Sequence, residues 1–170
     1  MNKLTVSITG KKQLYLPIVL LIILFCFRPA SLSAQTNFSG QWVMDKAKSD
    51  ESFRRWDITL NVKQDDKSFT KTEVLTENGK SITYDPDTYT LDGKVVSVEQ
   101  YGGIDKKSVI WSADKKELTL RIVRTNDGKD YGSDETYSMS ADGKVLTMKI
   151  TGIGESKGPA MIKVYNKKLS

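Results

Sequence analysis

Apolar and polar residues alternate along most of the chain from residue 39 onward. Apolar residues occupy every second position in three clear segments, 56–62, 118–122 and 146–150. A period of two places these side chains on one face of an extended strand, whereas no stretch beyond residue 39 shows a sustained helical period. The pattern predicts half-buried antiparallel strands.

Turn signals separate these runs. Asn or Asp precedes Gly at four of them: Asn78-Gly79, Asp92-Gly93, Asp127-Gly128 and Asp142-Gly143. Such pairs tolerate positive φ and favour tight hairpins. Proline cannot donate to a β-ladder, so Asp85-Pro86-Asp87 is predicted to bulge or break one long strand. The turns predict about ten strands, each joined by a hairpin to the next. These lie near 40–45, 56–64, 68–77, 80–90, 94–101, 104–112, 117–125, 130–140, 144–152 and 160–167.

The predicted fold class is all-β, an antiparallel up-and-down β-barrel of about 8–10 strands with at most one short helical turn. The polar segment 45–53 is the place for that turn. Two packed sheets are the alternative, but a meander that closes on itself also removes the exposed edges that invite aggregation.

The first 34 residues have a different composition. Lys3, Lys11 and Lys12 precede an apolar run at 14–27, and a stretch of small residues follows at 29–34. This order is typical of a cleavable secretory signal peptide. We therefore predict a signal peptide at 1–34, a barrel domain at 35–170, and a periplasmic or secreted location.

A membrane anchor is the alternative interpretation of this leader. The apolar run has about 14 residues, contains Pro17 and ends at Arg28, whereas a spanning helix needs about 20. A lipid anchor would need a small residue before the modified cysteine, but the only cysteine, Cys26, follows Phe25. We expect no membrane span after cleavage.

Removing the leader changes the charge of the chain. The full chain carries a net charge of +5, but four of its 26 basic residues and none of its 21 acidic residues lie in the leader, which leaves +1 for the rest. No basic face or stacking motif is visible, so nucleic acid is not an expected partner.

The residue types available restrict the chemistry. The chain has no histidine, and the segment after the leader has no cysteine. The commonest general base, the thiol nucleophile and the usual ligands of zinc, copper and haem are therefore missing. Asp85 and Asp87 have the residue type for hydrolysis or calcium binding, but Asp is also common in turns. We expect no enzyme, no cofactor and no metal site.

Several motifs resemble a known family. A Gly-x-Trp triplet opens the first strand in Phe38-Ser39-Gly40-Gln41-Trp42. Others follow in order at 45–49, 89–94, 137–144 and 164–167. Together they resemble secreted bacterial lipocalin-like proteins of the calycin superfamily, which includes lipocalins and fatty-acid-binding proteins. The resemblance implies a barrel that binds or carries a small hydrophobic or amphipathic molecule.

The resemblance also implies residue roles. Trp42 should close one end of the barrel beneath Lys167 or Lys168. Lys163-Val164-Tyr165 resembles the Arg-x-Tyr pair that holds a carboxylate in fatty-acid-binding proteins, but Lys replaces Arg and cannot form the bidentate fork. The segment 45–55 is too short for those proteins' two-helix lid.

Inward aromatic and aliphatic side chains are the candidates for ligand contact, with core packing as the alternative role for each. The candidates are Tyr84, Tyr101, Trp111, Tyr137, Met139, Lys163 and Tyr165. Either face of the last strand could point inward, and a buried Lys163 would need a ligand carboxylate or a paired acid. The alternative function is a cell-envelope interaction or structural module with a filled barrel. The oligomeric state is left open.

Overall fold

The computed structural model describes residues 35–100 and 102–168. The predicted signal peptide at 1–34 and the candidate Tyr101 lie outside these residues. The described chain forms eleven strands and one 3-10 helix at Glu51–Phe53, inside the segment predicted to make one helical turn. The strands are β1 Gly40–Met44, β2 Asp57–Gln64, β3 Ser68–Glu77, β4 Lys80–Thr83, β5 Asp87–Thr90, β6 Val96–Gln100, β7 Gly103–Trp111, β8 Leu118–Asn126, β9 Lys129–Met139, β10 Val145–Gly154 and β11 Met161–Lys167.

All strands belong to one antiparallel sheet. Its order is β4-β3-β2-β1-β11-β10-β9-β8-β7-β6, with β5 also paired to β3. The first and last strands are neighbours, and Trp42 of β1 lies opposite Lys167 of β11. The all-β antiparallel barrel is therefore confirmed.

The strand predicted at 80–90 is broken, as its proline predicted. Residues 84–86 are irregular. β4 pairs with 74–77 of β3, whereas β5 pairs with 68–71. This break divides one predicted strand into β4 and β5, which accounts for eleven strands where about ten were predicted.

The prediction of a hairpin at Asp92-Gly93 is wrong. β5 precedes this turn and β6 follows it, but they are not paired, and within 35–100 and 102–168 no ladder joins β4 or β5 to β6. β5 makes its backbone hydrogen bonds to β3, and its side chains meet β7 instead. The barrel wall therefore has a gap between β4 and β5 on one side and β6 on the other.

Two other predicted turns are tight hairpins. Asn78 and Gly79 have φ of 50° and 77°, and Asp127 and Gly128 have φ of 49° and 74°. Two successive residues at positive φ suit the right-handed twist of the flanking strands, and Asn-Gly and Asp-Gly adopt this conformation with little strain.

An aromatic cluster fills one end of the barrel. The Phe38 ring centroid lies 6.5 Å from that of Phe69 and 6.3 Å from that of Tyr137. The buried Trp42 donates from Nε1 to the carbonyl of Phe38 at 3.0 Å. Lys167 Nζ lies 5.3 Å from the Trp42 ring centroid. Trp42 thus has the predicted structural position, and Lys167 covers it.

In the described part of the chain, no helix has the length and apolar character needed to cross a bilayer.

Candidate functional site

The inward side chains change from apolar to charged along the strands. On β7 the inward positions run from Trp111 through Val109 to Lys107, and on β9 they run from Tyr137 to Glu135. The strand register places these changes at adjacent inward positions, because Leu120 of β8 pairs with Val109 and Glu135, and Ile122 pairs with Lys107. A charged layer therefore lies next to the aromatic end of the interior.

Lys71 and Glu135 form an ion pair across the interior, from β3 to β9. Tyr137 donates its hydroxyl to the same carboxylate at 2.9 Å. Burial by itself would lower the pKa of Lys71, but the charge of Glu135 and the hydrogen bond to it outweigh burial and raise that pKa. Burial likewise opposes ionisation of Glu135, but Lys71 and Tyr137 outweigh it and lower the Glu135 pKa. Both groups are held in their charged forms.

Lys163 and Glu73 form a second pair. Lys163 is 7% exposed, and its Nζ donates to Glu73 Oε1 at 3.0 Å. The hydroxyl of Tyr165 lies 3.5 Å from the same oxygen, and Lys163 Nζ lies 4.8 Å from the Phe53 ring centroid. The face of β11 that carries Lys163 and Tyr165 therefore points inward, and the partner of Lys163 is a paired acid.

Lys107 and Asp87 form a third pair, which crosses the gap from β7 to β5. Lys107 Nζ donates to Asp87 Oδ1 at 2.5 Å, and the Tyr89 hydroxyl donates to Oδ2 at 2.9 Å. Lys107 Nζ also lies 5.4 Å from the Tyr89 ring centroid. Burial is the main cause that raises the pKa of Tyr89 well above its ordinary value, and the charge of Asp87 is the second cause. Side chains thus bridge the wall where backbone hydrogen bonds do not.

A cavity of about 620 Å³ opens at this gap. Its wall combines members of the three ion pairs with the irregular residues between β4 and β5 and with inward residues of β6. The lining residues are Lys71, Glu73, Thr83, Tyr84, Asp85, Pro86, Asp87, Thr88, Val98, Gln100 and Lys107. The wall is mostly polar, with Tyr84, Pro86 and Val98 as its apolar members.

The predicted site residues fall into separate environments. Tyr84 is 50% exposed and lines the cavity. Tyr137 and Tyr165 are buried, and their hydroxyl groups reach the carboxylates of Glu135 and Glu73. Trp111 and Met139 pack against the core instead. Of the described candidates, Tyr84 alone belongs to this cavity, and Lys163 reaches its wall through Glu73.

Trp111 packs beside Phe38 with nearly parallel rings and centroids 6.2 Å apart. Its Nε1 is buried and has no hydrogen-bond partner within the described ranges. The ring therefore belongs to the aromatic end of the barrel.

Sequence reasoning missed four charged residues of the interior, namely Lys71, Glu73, Lys107 and Glu135, and it considered Asp87 only for hydrolysis or calcium binding. A signal for them was present, because each lies at an even spacing from a buried aromatic or aliphatic residue of its own strand. On β3, for example, Lys71 and Glu73 lie in phase with Phe69. A charge at an inward position of a small barrel must find a partner, so this phase is informative.

Comparison with known proteins identifies the fold. No protein-family model matches the chain, and no curated protein sequence matches it. Solved structures do match. Caenorhabditis elegans lipid binding protein 8 is 11% identical, with a TM-score of 0.53 over 77% of this chain and 95% of that one. Human cRBP IV is 17% identical, with a TM-score of 0.51 over 78% and 99%. Secretory abundant heat soluble protein 4 from Ramazzottius varieornatus is 12% identical, with a TM-score of 0.52 over 78% and 95%.

The chain therefore shares the antiparallel β-barrel fold of these proteins, which is the fold that the resemblance implied. These structural neighbours bear names as different as a lipid binding protein and a heat soluble protein. The structural superpositions show a shared fold at low sequence identity, so the function has to be argued from the site.

Proposed function

We propose that this protein is an exported binding barrel that holds a small amphipathic molecule in the cavity between β5 and β6. The observation that carries the proposal is the cavity of about 620 Å³, which opens where the barrel wall lacks ladder hydrogen bonds. Ligand pockets in proteins commonly span about 300–1,000 Å³. A molecule can enter at this gap without breaking backbone pairing between strands.

The two kinds of lining residue support an amphipathic ligand. Tyr84, Pro86 and Val98 offer apolar contact, whereas Lys71 and Lys107 belong to ion pairs at the wall. Apolar contact supplies binding free energy, and a few fixed polar groups set the orientation of a ligand. One structural neighbour is named a lipid binding protein, which agrees with a ligand of this class.

The export part of the proposal rests on the leader, with its basic start, apolar run and small-residue tail. Expression in a secreting bacterial host, followed by intact-mass measurement of the recovered protein, tests it. We expect the chain to begin at or near Gln35 and to be recovered outside the cytoplasm. An uncleaved chain that stays in the membrane fraction would contradict export.

Native mass spectrometry of the purified protein, before and after organic extraction, tests binding. We expect a reproducible added mass that extraction removes and that reappears when the extract is returned. A bare protein that also fails to bind a hydrophobic fluorescent probe would contradict a carrier and favour the interaction or structural module.

A matched pair of variants locates the site. Val98 lines the cavity, whereas its neighbour Ser97 is exposed on β6 and does not. Val98→Trp should fill part of the cavity and raise the dissociation constant of the ligand at least about tenfold, which corresponds to about 1.4 kcal/mol. Ser97→Trp should leave the dissociation constant unchanged. Equal binding by the two variants, with native circular dichroism, would place the ligand elsewhere.

A further inference from the structure

Each lysine in the cavity wall is already paired with a carboxylate. Lys71 pairs with Glu135, and Lys107 pairs with Asp87. Behind the wall, Lys163 pairs in turn with Glu73, which lines the cavity. The described cavity wall therefore offers no lysine that lacks a carboxylate partner.

The rim adds negative charge to this balance. Asp85 lines the cavity, and within the described ranges no lysine or arginine lies within ion-pair distance of it. Arg124, which donates to the backbone carbonyl of the lining residue Gln100 at 2.6 Å, is itself paired with Asp105 at 2.7 Å. An incoming carboxylate thus meets a site whose positive charges are matched by negative ones.

A simple anionic head group can reach a wall lysine only by displacing that lysine's carboxylate. The displaced group would stay in the interior without a partner, because the side chains of Lys71 and Glu135 are 14% and 21% exposed and those of Lys107 and Asp87 are 9% and 29% exposed. An unpaired charge at such a position is strongly unfavourable. The same reasoning applies to a cationic head group that enters an interior ion pair, which would strand a lysine, whereas pairing with the exposed Asp85 at the rim contributes little because solvated ion pairs are weak.

A zwitterionic head group avoids this cost. Its anion can take the place of a wall carboxylate beside a lysine, while its cation takes the place of a lysine beside the displaced carboxylate. Each protein charge then keeps a partner of opposite sign. Lys71 and Glu73, on the same face of β3, present both signs to one cavity.

We propose, on the basis of the function proposed above, that the ligand is a zwitterionic amphiphile. Its head group carries an ammonium and an acid group close together, and its tail is apolar. The charge balance of the wall selects it against simple carboxylates and simple amines.

Three ligands with the same chain length test this selectivity. Dodecanoic acid is anionic at neutral pH, dodecylamine is cationic, and α-aminododecanoic acid carries both charges. Isothermal titration calorimetry of the purified protein, below the aggregation threshold of each ligand, gives the three dissociation constants. We expect the zwitterion to bind at least about tenfold more tightly than either of the others.

The outcomes separate the two proposals. If dodecanoate or dodecylamine binds as tightly as the zwitterion, zwitterion selectivity is overturned and the binding function stands. If none of the three binds and native mass spectra show no added mass, the proposed function itself is overturned.

Charge variants test the reason for the selectivity. Asp87→Asn leaves Lys107 without a carboxylate partner at the cavity wall, so the ratio of dodecanoate to zwitterion affinity should rise about tenfold. Glu135→Gln removes the ion-pair partner of Lys71, with the charges of Glu73 and Asp87 remaining near that lysine, and serves if the first variant fails to fold. Glu77→Gln, which removes an ion pair to Arg55 away from the cavity, should leave the ratio unchanged. An unchanged ratio in a folded Asp87→Asn or Glu135→Gln protein would overturn charge balance as the cause of the selectivity.

Discussion

The ion pair between Lys71 and Glu135 provides the sharpest test of the charged interior. Lys71→Met removes the cation and keeps a long side chain, which leaves Glu135 with the hydrogen bond from Tyr137 at 2.9 Å and without its ion-pair partner. Glu135→Gln removes the anion and leaves Lys71 near the charges of Glu73 and Asp87. The double variant removes both charges.

The expected magnitudes follow from burial and charge. Two unit charges about 4 Å apart attract by about 4 kcal/mol at an effective dielectric constant of about 20, and breaking a buried pair costs about 3–5 kcal/mol. Partial exposure of the Lys71 and Glu135 side chains places Lys71→Met at the lower end, about 3 kcal/mol. Glu135→Gln should cost about 2 kcal/mol, because other carboxylates still face Lys71. The double variant should also cost about 2 kcal/mol, so the coupling energy is about 3 kcal/mol.

Urea unfolding followed by tryptophan fluorescence gives the four free energies of unfolding, since Trp42 and Trp111 lie at the aromatic end of the barrel. The control is the pair of Arg55 and Glu77, whose side chains are 67% and 33% exposed. Its coupling energy should stay below about 1 kcal/mol. A coupling of less than about 0.5 kcal/mol for Lys71 and Glu135 would refute the view that their charges meet in a poorly solvated interior.

Two further predictions concern pH and the closed end of the barrel. Burial, together with nearby carboxylates, raises the pKa of Tyr89, Tyr137 and Tyr165 above the ordinary value of 10.0. Their contribution to stability is complete below about pH 10 and is lost as pH rises further, because the unfolded chain releases these protons first. The free energy of unfolding should therefore fall between about pH 10 and about pH 11. Phenolate absorbance from these residues should appear together with unfolding. A free energy of unfolding that stays constant over this pH range would argue against buried phenols. At the closed end, Lys167→Met should cost about 0.5–1 kcal/mol in urea unfolding by removing the cation above Trp42, and no loss would show that this contact contributes little.

Local chemistry accounts for what the sequence alone predicted. The two-residue period of β2, β8 and β10 arises within each strand, because successive side chains point alternately to the core and to solvent. The turns at Asn78-Gly79 and Asp127-Gly128 depend on the backbone freedom of adjacent residues. The break at Pro86 follows from a missing backbone donor. Such features need no knowledge of distant residues, which is why the antiparallel barrel could be predicted.

The functional layer depends on contacts between distant parts of the chain. Lys71 and Glu135 are 64 positions apart, and Lys163 and Glu73 are 90 positions apart. A period of two shows that a charge shares a face with apolar neighbours, but the identity of its partner across the barrel depends on how all the strands close.

The position of the gap and the orientation of β11 were likewise decided by tertiary contacts and not by local sequence. The composition of β5 and β6 allowed a hairpin, but β5 completes its hydrogen bonds with β3, and the wall stays open where the cavity lies. Both faces of β11 carry apolar residues, so local pattern left its orientation undecided. In the folded barrel the face of β11 that carries Lys163 points inward, where Glu73 from across the barrel neutralises the lysine. Local sequence thus determined the strands and turns, whereas charge pairing and barrel closure decided where a ligand could be held.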